Sequence, residues 1–349
     1  AGEREVDVAV IGAGFAGLSC ALALRRDGHS VALLEARHAG FGASGRNAGH
    51  VTPAIGKDLP SLLRLHGRER AGALLALVQR GIESVEERIR EHAIDCDYEP
   101  VGTVVTAVHE RQQAGLERAA RAAQALGLRC ELLDAAALDA RGIPRFATLG
   151  CFEPQGGLLD PGKYLLGLRR AVLASGAELF EHSPLLAIED AARVALRTPA
   201  GRVRARFAVL ATNAYTPELG RLRRAGTRLS VQLFRTEVLS PAQRARVGWH
   251  GREGLYTAHQ ELESYRLCAD GRIIGGAKFV RAGFGRRQLP DVDVRLAAEL
   301  ESVFRARFPE LRDLAIREHW GGPIFMALDF LPRVGRSGRH GNLLFALAW

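Results

Sequence analysis

Val8-Ala9-Val10-Ile11-Gly12-Ala13-Gly14-Phe15-Ala16-Gly17 decides the fold of this chain. Residues 6–11 have the apolar, β-prone composition of a buried strand, and residues 15–27 read as a helix that Gly28 stops. Residues 30–35 read as a second strand. Between strand and helix, Gly12 permits a tight turn, Gly14 lets backbone approach a pyrophosphate, and Gly17 lets the helix pack closely. Ile11, Ala13, Phe15 and Ala16 complete this loop, whose helix N-terminus offers free N–H groups and a positive dipole end. Glu35 ends the second strand 23 residues after Gly12, where an acid hydrogen-bonds ribose hydroxyls; Ala36 and Arg37 follow it. A carboxylate there repels a 2′-phosphate and disfavours NADP. NAD and FAD remain open.

Outward from this unit the pattern alternates. A loop of small residues, Ala39 to Gly49, precedes helical spacing at Leu74, Leu75, Val78, Ile82, Val85 and Ile89. Residues 98–108 alternate as a strand, and 110–126 read as a helix. Pro161 opens an amphipathic helix that ends at Gly176, and strand candidates follow at 185–189, 193–198 and 202–210. Strands dominate from Thr227 to Gly276, 293–307 is a helix, and Asn342 to Leu347 is a last strand. The pattern predicts an α/β chain in which a Rossmann-like nucleotide-binding domain is interleaved with an α+β domain on a mostly antiparallel sheet. The first domain takes 1–90, 150–226 and 323–349, the second 91–149 and 227–322.

Composition narrows the class. Of 349 residues, 47% are hydrophobic and 25% charged, as in ordinary globular chains. No apolar run approaches the ~18 residues of a membrane helix, and no secretory signal pattern opens the chain. Cys20, Cys96, Cys130, Cys151 and Cys268 are scattered without metal spacing, so no metal is expected and a reducing cytoplasm is the simplest compartment. The net charge of +9 comes mostly from dispersed Arg. Its one dense run, Arg221-Leu222-Arg223-Arg224, has no interleaved aromatics, which disfavours nucleic acid as a partner.

Gly42-Ala43-Ser44-Gly45-Arg46-Asn47-Ala48-Gly49 then selects among dinucleotides. It resembles the loop that contacts the pyrophosphate and flavin in FAD-dependent oxidoreductases of the D-amino-acid oxidase family, above all their gamma-glutamylputrescine oxidase-like branch. Small residues allow close approach there, while Ser44, Arg46 and Asn47 offer donors to phosphate and ring oxygens. The resemblance runs on through Glu181-His182-Ser183-Pro184-Leu185, whose backbone near Leu185 would meet the adenine. Phe207 to Tyr215 is similar to the strand that ends beside the cofactor, which puts Ala211, Thr212 and Asn213 there. Ser264-Tyr265-Arg266-Leu267 with Gly271 to Gly276 is similar to a strand pair of the substrate domain. Trp320-Gly321-Gly322 and Asp329 to Gly335 are similar to the stretch re-entering the flavin domain.

Three departures qualify what the resemblance implies. The family continues beyond the last strand into a helix aimed at the flavin pyrimidine, whereas this sequence stops at Trp349, leaving that half of the site incomplete as given. Its amino-acid oxidases carry a carboxylate-binding Arg near the position of Ile324, which shifts the expected substrate towards an amine or a larger molecule. Arg46 stands where covalently flavinylated members use His or Cys, so FAD is expected to be non-covalent.

The implied reaction is C–N oxidation: hydride moves from the carbon beside nitrogen to flavin N5, and the imine is hydrolysed. Oxygen or another acceptor would take the electrons. Phe325, Met326 and Leu328 are candidates for an apolar pocket that keeps the amine neutral, and His50, Tyr265 and Arg266 are the candidate catalytic side chains. His259 and His319 read as surface or core residues. The alternatives are an NAD-linked dehydrogenase, a flavoprotein acting on modified tRNA, and a non-catalytic remnant.

Overall fold

A strand that runs into a glycine loop and a helix is the first thing the chain builds. β1 (Gly2–Ile11) leads into α1 (Phe15–Arg26), and β2 (Val31–Leu34) returns parallel to β1, in a computed structural model that describes residues 2–259, 261–283 and 290–348. All four residues of β2 are buried, as a strand covered on both faces requires.

The flavin-type loop forms one 3-10 turn, Ala43–Gly45, before the two-residue β3 (His50–Val51). α2 (Leu59–Glu91) starts earlier than the spacing from Leu74 predicts. Asp58 caps its first turn by accepting from the Ser61 N–H, and Gly67, at φ 75°, breaks it into two helices across a kink. β4 (Thr103–Ala107) is shorter than the alternation over 98–108, because the chain turns at Gly102 with positive φ. α3 (Glu110–Ala125), β5 (Glu131–Leu133), α4 (Ala135–Ala140), β6 (Leu149–Glu153) and β7 (Gly157–Leu158) follow.

Asp160 caps α5 (Pro161–Ala174) through the Lys163 N–H. Then come β8 (Glu178–Phe180), β9 (Ala187–Glu189), β10 (Val194–Thr198), β11 (Gly201–Leu210) and β12 (Thr227–Val238). A capping box between Ser240 and Gln243 starts α6 (Pro241–Val247), a helix inside the stretch expected to be all strand. β13 (Gly254–Thr257), β14 (Glu263–Leu267), β15 (Arg272–Gly283), α7 (Val294–Arg307), β16 (Ile316–Met326), β17 (Arg333–Ser337) and β18 (Leu343–Leu347) complete the fold.

These strands form two large sheets. The first has the order β17-β18-β11-β1-β2-β8, parallel at its centre, with β10 and β9 added beside β11. Its core packs α1 and α5 onto Val8, Val10 and Leu33 through Leu18, Leu165, Leu168 and Val172. The second has the order β16-β12-β15-β14-β13-β4-β6-β5; among these pairs only β13–β4 is parallel. α7 covers one face of it with an aromatic core in which Trp249 stacks on Phe308 at 5.6 Å. The result is the α/β architecture read from the sequence. The opposite face of the second sheet meets the β3–β7 ribbon, which places His50 against it.

Candidate functional site

The glycine loop is built by steric exclusion. A Cβ on Gly17 would stand 1.8 Å from the Gly12 carbonyl oxygen, so only glycine lets α1 approach β1 this closely. Gly12 in turn lies over Ala211, whose N–H donates to the Ile11 carbonyl at 2.8 Å. The end of β11 therefore forms the floor of the loop. Gly14 starts α1 with no side-chain cap of its own, and the first turn holds no acidic residue that would repel an anion.

Glu35 is more engaged than a lone ribose acceptor. Its Oε2 accepts from the Ala13 N–H and its Oε1 from the Arg37 N–H, both at 2.9 Å. Its backbone carbonyl takes the Ser183 N–H, and the Arg37 carbonyl takes the His182 N–H, which ties the chain before Leu185 to the same corner. Ala36 and Arg37 are exposed on its rim.

The loop after β2 folds over the helix N-terminus. Ser44 Oγ accepts the Phe15 N–H at 3.0 Å, supplying from a distance the cap that Gly14 lacks and keeping its hydroxyl proton for a further acceptor. A Cβ on Gly14 would lie 2.8 Å from that oxygen, so the gap is one glycine wide. Asn47 spends its side chain within the loop, donating to the Ser44 carbonyl at 2.8 Å and accepting the Gly49 N–H at 2.9 Å. Arg46 turns the other way: Nε donates to the Phe41 carbonyl, and Nη1 to the Gly321 carbonyl and to Asp291. Trp320 Nε1 answers by donating to the Arg46 carbonyl at 2.9 Å. Of the three expected donors, Ser44 keeps a free proton, while Asn47 and Arg46 hold the loop in shape and bind it to β16. Ala43 and Ala48 flank these bonds, half-buried.

At the end of β11, Thr212 and Thr216 share a 2.7 Å hydroxyl hydrogen bond, and Asn213 Oδ1 accepts the Ala348 N–H. Gly335 lies on β17 at the sheet edge, opposite Phe345 of β18, further from the loop than Trp320. A helix end without a local cap, a one-glycine gap and a carboxylate fixed beside them fit a dinucleotide.

The profile of the family described as FAD dependent oxidoreductase matches residues 7–349. Gamma-glutamylputrescine oxidoreductase of Escherichia coli is 33% identical over 337 residues, covering 95% of this chain and 76% of that protein. This chain is an FAD-dependent oxidoreductase of the D-amino-acid oxidase family. A probable oxidoreductase OrdL of Haemophilus influenzae is 32% identical over 97% of the chain and 77% of its own length. Among solved structures, L-proline dehydrogenase from P. horikoshii superposes with a TM-score of 0.82 at 17% identity, covering 99% of this chain and 88% of that one. Glycine oxidase from Geobacillus kaustophilus gives 0.77 at 20%, over 99% and 89%. Family membership decides FAD over NAD.

In this flavoenzyme the second sheet sorts the three catalytic candidates by face. Tyr265 is fully buried among Phe146, Phe304 and Phe308, and its hydroxyl donates to Glu263 at 3.0 Å. That is the α7 side, so Tyr265 packs the core and faces away from the nucleotide loop. Arg266, next along β14, points the other way, as strand alternation requires. Its Nη1 donates to the Leu159 carbonyl at 2.5 Å beneath Gly49, and its buried Nε has no partner among the described residues.

His50 lies on the same face as Arg266. Its Nε2 donates to the Tyr265 carbonyl at 3.4 Å, and its ring lies 4.6 Å from that of Tyr256. Burial, reinforced by the Arg266 charge, pushes His50 down to about 3, so the imidazole is neutral at physiological pH. Burial also raises the Tyr256 phenol, keeping it protonated. Tyr256 was not among the sequence candidates. Alternation within β13 could have flagged it only if the pairing of β13 beside β4 and opposite His50 had been known.

Proposed function

We propose that the chain oxidises the C–N bond of an amine or amino-acid-like substrate, with the resulting imine hydrolysed in water. Bound FAD would supply the hydride acceptor at N5 and the route for electrons to oxygen or another acceptor. The observation that carries this reading is the reciprocal lock of Arg46 on Gly321 and Trp320 on Arg46, which makes the flavin-type loop and the antiparallel sheet two walls of one site. The likeness to gamma-glutamylputrescine oxidoreductase supplies the reaction class.

Within it, Gly12, Gly14, Gly17 and Ser44 receive the pyrophosphate, and Glu35 the ribose. The backbone at Leu185 faces the adenine, and Ala211 to Asn213 floor the site. Neutral His50 and Tyr256 place no charge of their own beside a bound amine. Arg266 orients the substrate wall from beneath Gly49. FAD is held without a covalent bond.

The nucleotide-binding part centres on 1–90, 150–226 and 323–349 and the substrate part on 91–149 and 227–322, with β6 and the end of β16 crossing those bounds as strands of the second sheet. All five cysteines are free, which supports a cytoplasmic setting. No helix among the described residues is long and apolar enough to cross a membrane. Turnover of γ-glutamyl-diamine, diamine and imino-acid substrates, with trapping of the carbonyl product by a hydrazine reagent, tests the reaction. One aldehyde or keto product per substrate consumed supports it; consumption without a carbonyl product refutes it.

A further inference from the structure

Several fully or partly buried carboxylates in this protein have cations. Glu263 is held by Lys278 and Arg307, Asp293 by Arg281, Glu99 by Arg252, and Glu253 by Arg141. Half-buried Glu153 has none, and it also lacks the backbone N–H donors of half-buried Glu35 and Asp160 and the short phenol bond of Glu86. It ends β6 directly opposite Thr103 of β4, and among the described residues no Lys, Arg or His forms an ion pair with it. Among the described residues its carboxylate has one hydrogen bond, from the Thr103 hydroxyl at 3.4 Å to Oε2.

Position gives that lack a meaning. Thr103 pairs with Gly254 of β13, and Tyr256 lies two residues along that strand on the same face. His50 covers this spot: a Cβ on Gly254 would be 2.4 Å from its Cδ2. Glu153 thus belongs to the same sheet face as the His50–Tyr256 stack, and its charge is felt by the Tyr256 phenol. Two residues on, Gln155 Oε1 is buried without a donor, a second acceptor left open on the same loop. An ammonium group carries one positive charge and three N–H donors, which these acceptors lack.

We propose that Glu153 is the substrate-recognition residue of this site, a carboxylate that binds the substrate's ammonium group and takes one proton from it, leaving the free amine whose α-carbon gives up hydride. The transfer balances: the N–H bond breaks, an O–H bond forms on Glu153, and the electron pair stays on nitrogen. The substrate class is then a primary or secondary amine that arrives as its cation.

The titratable groups around Glu153 are consistent with this role. Burial pushes its carboxyl up to about 7. Around it, Tyr256 is raised, Cys151 of the same strand and Cys130 are raised by burial, and His50 is lowered to about 3. Glu153 is therefore the group of this face that exchanges a proton near neutrality.

The inference rests on amine oxidation, and the test separates the two. In the FAD-loaded protein, kcat/KM for an amine should rise with pH through an apparent value near that of Glu153, because only the carboxylate binds and deprotonates the ammonium. Glu153→Gln should lower kcat/KM about 100-fold at pH 8 and abolish that limb, leaving a rise governed by the amine itself. Glu153→Asp should restore the limb. tert-Butylammonium, which has no α-hydrogen, reports binding alone through the flavin spectrum, and its Kd should rise about 30-fold in Glu153→Gln. An unchanged limb and unchanged Kd in Glu153→Gln overturn the assignment while leaving amine oxidation standing. Failure of every amine to reduce the wild-type flavin overturns both.

Discussion

At the scale of single residues, steric and electrostatic contacts make sharp demands. Gly17→Ala places its methyl against the Gly12 carbonyl, a backbone atom that cannot rotate away. The expected result is loss of bound FAD on purification and destabilisation of about 2–4 kcal/mol, read from urea midpoints. Tyr265→Phe removes a hydroxyl that bonds Glu263 inside the aromatic core. It should cost about 1 kcal/mol while leaving kcat/KM within twofold, which separates packing from catalysis.

His50 makes a pH prediction. Its folded value of about 3 lies below the unfolded 6.5, so the unfolded chain binds a proton first. Stability from this group is complete above pH 6.5 and falls by about 1.4 kcal/mol per unit as pH drops from 6.5 towards 3. His50→Gln should flatten the unfolding midpoint over that window; an unchanged slope refutes a buried neutral imidazole.

At the scale of elements, the ion network under α7 joins helix to sheet. Glu263 on β14 is fully buried. Burial alone would raise its carboxyl, but Arg307 of α7 and Lys278 of β15 more than offset this and hold it low. Arg307→Met should destabilise by about 3 kcal/mol, the low end for a broken buried pair because Lys278 remains; chemical denaturation followed by Trp fluorescence measures it. The sequence could not announce this network, since Glu263 and Arg307 are 44 residues apart and a charged residue reads as surface until its partner is known. What was legible came from local chemistry. β1, α1 and β2 follow from the glycine loop, and α7 from its apolar spacing. β5, α4, β7 and β8 escaped because pieces of two to six residues carry too little periodicity to register. Naming adjacent Tyr265 and Arg266 together missed that strand alternation lets only one of them face the site, and the sequence does not say which side meets the cofactor loop. That choice is set by α7, far along the chain.

At the scale of the whole molecule, the two sheets meet at Arg46, Trp320, His50 and Arg266, and the dinucleotide loop alone would not have located this seam. The role read for Arg46 shows why. A donor after a glycine-rich loop reads as a phosphate ligand, yet its guanidinium spans to β16 and holds the loop against the second sheet. Trp320→Phe keeps the ring and removes the Nε1 bond. It should weaken FAD binding about tenfold, measured by recovery of flavin fluorescence, with little change in unfolding midpoint. The central claim is that both walls serve amine oxidation on FAD, and anaerobic titration of the FAD-loaded protein with an amine tests it most directly. Stoichiometric bleaching of the oxidised flavin's visible absorbance by an amine is the predicted result. A flavin that dithionite reduces but no amine, imino acid or amino acid bleaches would contradict it.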